Sequence, residues 1–162
     1  GRRMEELEQF ALNDSMTGMY NRNAYDYFVK NEKDFEGYVI VTFDLNNLKQ
    51  CNDQYGHRAG DEYIINAAHI IEDNFERYGK CYRIGGDEFC CIIPKGRYFK
   101  IERVMHKIDQ DVEILNHKNI IPVPVGIAYG YAVFTADDTD PEKVRERADK
   151  DMYRNKKTMK QS

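Results

Sequence analysis

Asp44, Asp87 and Glu88 are the side chains with the most chemistry to offer. Asp44 closes the β-branched and aromatic run Tyr38 to Phe43, and Asp87-Glu88 follow the pair Gly85-Gly86. A run of that type reads as a strand covered on both faces. The glycines between Cys81–Ile84 and Glu88–Ile93 read as a hairpin tip, because they tolerate the positive φ of a tight turn. The expected topology then brings the end of the first strand beside the tip, and the three carboxylates converge. Such a group cannot stay ionised without a counter-charge. Hard oxygen ligands at a strand end suit Mg²⁺ or Mn²⁺ better than zinc. Two such ions about 4 Å apart activate an attacking hydroxyl and hold a transferring phosphate. In that reading Asp44 and Asp87 anchor metal, and Glu88 is a further ligand or base. An acidic hairpin tip is also a common solvated turn, and composition and period leave both readings open.

The stretch Asn46 to Asp61 is unusually polar for a segment between a buried strand and a helix, and it reads as a binding loop. Lys49 offers a point charge to phosphate oxygens, and Asn52 with Asp61 offers donors and acceptors at a helix entrance. A carboxylate can accept from both N1 and the exocyclic amine of guanine, so Asp61 would select guanine if it reached a base edge. Alternatively Asp61 simply answers a helix dipole. His57 reads as a capping or packing residue, and Cys51 as an unreactive loop thiol. Arg154, Lys156, Lys157 and Lys160 leave the last nine residues basic. They suit phosphate binding or, as an isolated feature more readily, an ordinary cationic helix end.

The elements that must position these groups follow from periodicity. Arg22 to about Asn31 is predicted helical, as is a longer stretch from about Ala59 to Tyr78 with Ile64, Ala68, Ile71 and Phe75 on one face. Ile101, Val104, Ile108, Val112 and Leu115 mark a third helix, Val123 to Phe134 a strand, and Pro141 opens a last helix. The centre is β-α-β-β-α-β, predicting an α+β fold with a ferredoxin-like or palm-type, mostly antiparallel sheet flanked by helices. Residues 1–13, with Met4, Leu7 and Ala11 at helical spacing, read as a short amphipathic helix that ends a linker from an upstream region, and residues 14–162 as the domain. At 162 residues the chain is one ordinary domain that needs no staple. Its 24 basic and 28 acidic side chains give a net charge of -4, which argues against nonspecific nucleic-acid binding. No apolar run approaches the roughly 20 residues of a bilayer span. Cys51, Cys81, Cys90 and Cys91 form no CxxC pair, so reduced thiols, no zinc and no disulfide are expected.

Four motifs in order then carry a resemblance to a known family. Asp14-Ser15-Met16-Thr17-Gly18-Met19-Tyr20-Asn21-Arg22 is similar to the DxLTGLxNR opening of GGDEF domains, the diguanylate cyclases, and Arg83-Ile84-Gly85-Gly86-Asp87-Glu88-Phe89 contains the family's name motif. Phe43-Asp44-Leu45 to Asp61 resembles its D-x-D-x-F-K-x-x-N-D-x-x-G-H-x-x-G-D run, and Ala148-Asp149 to Lys156 its closing AD-x-x-(L/M)-Y-x-x-K. The resemblance implies a nucleotide-cyclase fold in which two GTP molecules, one on each half of a homodimer, condense into cyclic di-GMP with release of two pyrophosphates. It implies two Mg²⁺ or Mn²⁺ per half-site, held by Asp44, the Leu45 carbonyl, Asp87 and Glu88. Glu88 would also help deprotonate the 3′-hydroxyl, Asn52 and Asp61 would read guanine, and Lys49, Lys156 and Lys160 would hold phosphates. It further implies an upstream sensory domain, a cytoplasmic location, no nucleic-acid partner and no direct membrane contact by the domain. The alternative is a catalytically silent GTP-binding or protein-interaction module of the same fold.

Three departures bear on that expectation. Asn46 stands where the family usually has a second Asp, Leu48 replaces Phe, and Lys160 falls where an Arg often grips phosphate as a fork. Activity is expected to survive the Asn46 change. The family's RxxD product-inhibition motif falls on Glu76, Arg77, Tyr78 and Gly79, with Glu at the position of the Arg and Gly at that of the Asp, so no product-inhibition site is expected there.

Overall fold

The computed structural model describes residues 11–96 and 99–161, with side chains to residue 154. The expected linker helix of residues 1–13 lies almost wholly outside the described residues. Along the chain run α1 (Arg22–Asn31), β1 (Val39–Leu45), α2 (Leu48–Tyr55), α3 (His57–Phe75), β2 (Lys80–Arg83), β3 (Glu88–Ile93), α4 (Ile101–His117), β4 (Ile127–Val133) and α5 (Pro141–Gln161). The four strands lie in the order β2-β3-β1-β4, every neighbouring pair antiparallel. This is the predicted β-α-β-β-α-β layer, with β1 and β3 at its centre.

β1 lacks polar alternation because both faces of the sheet are covered. Val41, Phe43 and Leu45 face one buried cluster with Ile64, Ile71 and Phe75 of α3 and Val104 and Ile108 of α4. Ile40 faces a second cluster with Ala24 and Tyr25 of α1 and Val144 and Ala148 of α5. α5 approaches β4 closely at Gly130, where a Cβ would run into the Ala148 carbonyl and lie 2.7 Å from the Met152 Cα. It also covers the outer edge of β4: Asp151 accepts the Tyr131 amide at 3.0 Å, and Arg147 donates to the Val133 carbonyl at 2.9 Å. An exposed ladder of backbone groups is thereby capped by side chains.

Three expectations need correction. The polar stretch Asn46 to Asp61 is not a loop. Leu48 and Cys51 are buried in the first core cluster, so the segment coils as α2 to seat them, and Gly56 at φ +89° turns the chain into α3. The last strand is shorter than Val123 to Phe134. Val123 and Val125 are buried, yet the backbone of Val125 is bonded at both ends by the Asn116 side chain (2.8 and 3.0 Å) instead of by a neighbouring strand. α3 begins at His57 rather than near Ala59 and ends at Phe75 rather than Tyr78.

The turn before α1 is locked to the β2–β3 hairpin. Asp14 accepts from the Thr17 amide (2.9 Å) and hydroxyl (2.7 Å), and Arg83 donates to the same carboxylate at 3.1 Å. Burial alone would raise the Asp14 pKa, but the two Thr17 bonds and the Arg83 guanidinium outweigh it and hold it below 3.8. Asp14→Asn is therefore expected to lower the unfolding free energy at pH 7 by about 1–3 kcal/mol. Because the folded pKa lies below the unfolded one, this contribution is complete above pH 3.8 and is lost as acid protonates the folded carboxylate. Urea unfolding at neutral and at strongly acidic pH should show the wild-type advantage present in the first and absent in the second.

Candidate active site

Register brings the acidic groups together. Asp44 is the Cα partner of Glu88 across the β1–β3 ladder, which sets Asp87, one residue nearer the tip, beside the carboxyl end of β1. The tip itself is anchored: Arg83 donates to the Gly86 carbonyl at 2.9 Å through one guanidinium nitrogen while its other terminal nitrogen holds Asp14. This second duty of Arg83 and Asp14 is one that sequence reasoning missed. Its only signal was a basic residue just before the glycine pair and an acidic one opening the DSMTG turn.

The Asp87 carboxyl is half-buried and within hydrogen-bonding reach of the Asp44 carboxyl. Burial first, and then the charge of Asp44, push its pKa above the ordinary value, with Glu88 adding less. The direction is the one expected of a carboxyl that loses solvent beside a second negative charge. Asp44 also accepts the Leu45 amide at 3.0 Å. The next residue turns the other way, its amide donating to the Gly126 carbonyl at 2.8 Å on the β4 side. Since backbone groups of successive strand residues face opposite neighbours, the Leu45 carbonyl turns toward the β3 side, where Asp87 sits.

Of the three carboxyls expected to converge, the structure brings Asp44 and Asp87 together, with Glu88 standing further out. Among the described residues no three acidic, histidine or cysteine side chains are grouped closely enough to hold a metal ion. Glu88 is exposed, and its side chain folds back over Gly85, with Oε2 3.4 Å from where a Cβ would stand. A carboxyl pair and a backbone carbonyl are nonetheless a hard oxygen donor set, the kind that suits Mg²⁺ or Mn²⁺. A further carboxylate was not foreseen at this place. Asp149 of α5 has its pKa raised, chiefly by loss of solvent; the Thr42 hydroxyl and Arg145 oppose the shift and the charge of Asp44 adds to it.

The base-reading candidates are carried by the paired helices. Lys49 and Asn52 stand three residues apart on α2, hence on one face, and Asp61 is half-buried in the early part of α3. Asn52 and the neighbourhood of Asp61 do meet: the Asn52 carboxamide lies directly over the Cα of Gly60, in the space a Cβ would fill. Cys51 is buried on the opposite face, its thiol pushed up by burial, and His57 is exposed at the start of α3 instead of packing a loop. Asn46 rests against Gly126, and Leu48 is buried as an apolar replacement should be. Lys156 and Lys160 fall on α5, but their side chains lie outside the described residues.

The family described as diguanylate cyclase, GGDEF domain, matches residues 11–162. The diguanylate cyclase DgcS of Shewanella oneidensis is 29% identical over 158 residues, covering 94% of this chain and 52% of that protein. The bifunctional diguanylate cyclase and cyclic di-GMP phosphodiesterase MucR of Pseudomonas aeruginosa is 30% identical over 157 residues, covering 91% of this chain and 22% of that protein. The chain thus spans about half or less of the length of these relatives. In fold it is similar to the coiled coil and GGDEF domain of DgcB from Caulobacter crescentus in complex with c-di-GMP, with a TM-score of 0.79 at 24% identity over 97% of this chain and 86% of that one.

Because a Cβ at position 60 would occupy the place of the Asn52 carboxamide, Gly60→Ala is expected to expel Asn52. The Asn52 side-chain amide resonances should move in a ¹⁵N–¹H spectrum. Thermal unfolding should change little, since alanine regains about 1 kcal/mol of helix propensity against glycine.

Proposed function

The chain belongs to the GGDEF family of diguanylate cyclase domains, and from that premise we propose that it condenses two GTP molecules into cyclic di-GMP at the interface of a homodimer, as the output module of a longer signalling protein. The observation that carries the reading is the Asp44–Asp87 carboxyl pair at the end of β1, with the Leu45 carbonyl turned toward it. These residues would hold Mg²⁺ or Mn²⁺, two per half-site, with Glu88 swinging in from its exposed position. The bound ions would neutralise charge on the triphosphate and ease loss of the 3′-proton. Everything else falls to the chain itself. Asp61 accepts from N1 and the exocyclic amine of guanine, and Asn52, held against Gly60, completes the base contacts. Lys49, Lys156 and Lys160 hold the phosphates. Glu88 takes the 3′-hydroxyl proton of the nucleotide on the facing domain as its oxygen bonds the α-phosphorus and pyrophosphate departs. The same step on the other half-site closes the ring. Most of the acceleration is positional and electrostatic, so bringing the half-sites together is the natural control point. Among the described residues no helix is long and apolar enough to cross a membrane. We place the domain in the cytoplasm beside an upstream sensory region.

Product feedback through the segment Glu76 to Gly79 is absent in this reading. Gly79 is pressed against β3, where a Cβ would strike the Ile92 carbonyl, so position 79 has no room for an acidic side chain. Arg77 is engaged over the Tyr78 ring at 5.5 Å. Tight binding of cyclic di-GMP that Glu76→Ala or Arg77→Ala abolishes would contradict this.

The test is incubation of concentrated protein with GTP and Mg²⁺ or Mn²⁺, followed by chromatography. Cyclic di-GMP is expected, and the double variant Asp87→Ala/Glu88→Ala should form none. Asp61→Ala should raise the KM for GTP about 10–100-fold, the cost of one charged hydrogen-bonding partner. Binding of GTP with no product, even in an enforced dimer, would instead identify a catalytically silent nucleotide-binding module.

A further inference from the structure

Tyr63 is a fully buried tyrosine whose ring belongs to the α3-facing core but whose hydroxyl emerges at the end of β1. There it makes three contacts with backbone. It donates to the Asn46 carbonyl at 2.6 Å, accepts the Gly126 amide at 2.9 Å, and lies 3.1 Å from the Gly126 carbonyl. That last carbonyl in turn accepts the Asn46 amide at 2.8 Å. One side chain of α3 thus ties the residue that follows β1 to the residue that precedes β4, exactly where ladder pairing stops at Leu45 and Ile127. A hydroxyl proton can serve one acceptor well, and the shorter contact assigns it to Asn46.

The place of this knot matters more than its strength. Immediately before it stands Leu45, whose carbonyl direction is opposite to that of Asn46. Immediately after it stands Asn47, the left-handed residue (φ 64°) from which α2 departs. The Leu45 carbonyl lies in the peptide whose Asn46 amide is held by Gly126, and the Asn46 carbonyl held by Tyr63 lies in the next one, so slackening the tie between Asn46 and Gly126 would free the Leu45 carbonyl from its aim at Asp87 and re-aim α2 together. Burial keeps water from replacing the tyrosine, and it pushes the phenol pKa up to about 12, so the hydroxyl keeps its proton at all working pH values.

We propose that Tyr63 is a positioning residue of the cation site: its hydroxyl, bridging the Asn46 carbonyl and the Gly126 amide, holds the Leu45 carbonyl toward the Asp44–Asp87 pair. The inference rests on the reading of that pair as the cation-binding end of β1.

Tyr63→Phe keeps the ring and removes only the bridge. It is expected to weaken Mn²⁺ binding, read by electron paramagnetic resonance of the free ion without nucleotide, by about tenfold, with the far-ultraviolet circular dichroism unchanged. Tyr25→Phe is the matched control, because it deletes another buried tyrosine hydroxyl, one that donates to Glu142 at 3.1 Å on the other side of the sheet. It should leave Mn²⁺ affinity unaltered. Equal Mn²⁺ affinity in wild type and Tyr63→Phe, or an equal loss in both variants, overturns the assignment. If wild type itself binds no Mn²⁺, the reading of the carboxyl pair fails instead. A measurement on wild type alone closes the remaining gap: Mg²⁺ should slow hydrogen exchange at the Gly126 amide, and exchange indifferent to Mg²⁺ would likewise overturn the proposal.

Discussion

Two carboxyl groups held within hydrogen-bonding reach at the end of a central strand are a standing electrostatic cost, and most of the local architecture is arranged to keep them there. Asp44 and Asp87 meet because β1 and β3 are antiparallel neighbours with Asp44 opposite Glu88. With Asp87 ionised the pair is unfavourable: burial first and then the charge of Asp44 push the Asp87 pKa up, and the hydrogen bond between the two carboxyls favours its protonated form. The restraint comes from outside. Arg83 pins the hairpin tip by its grip on Gly86 and Asp14, and Tyr63 pins the end of β1 through Asn46 and Gly126. In the proposed function, the cation and the polyphosphate it carries would relieve the repulsion held at this site.

The two helices after β1 extend the same logic. α2 and α3 are separated by one glycine at positive φ, and Gly60 leaves a notch that the Asn52 carboxamide fills. The side chains proposed to read the base and the strand-end oxygens therefore hang from one continuous piece of backbone, Asp44 to Asp61. In the proposed function that piece carries one GTP, and the opposing nucleotide must come from a second domain.

Much of this was legible in the residues. The α1 boundaries, the hairpin, the last helix and the antiparallel layer follow from caps, glycines and apolar period. Failures occurred where side chains, not period, decide backbone structure. Leu48 and Cys51 alone draw a polar stretch into helix α2, a signal too sparse to separate from a loop. Val123 and Val125 look like strand, but the Asn116 side chain takes the backbone bonds of Val125. The site residues were identifiable by type, yet no spacing rule could say that Glu88 folds over Gly85 while Asp87 turns inward, or that a tyrosine from α3 would reach the strand end.

The most direct test of the account is a crystal structure with Mn²⁺ and a nonhydrolysable GTP analogue, using anomalous scattering to locate the metal. The account predicts metal between the Asp44 and Asp87 carboxylates and the Leu45 carbonyl, with guanine on Asn52 and Asp61. A nucleotide bound elsewhere, with the two carboxyl groups still paired to each other and no anomalous peak between them, would contradict it.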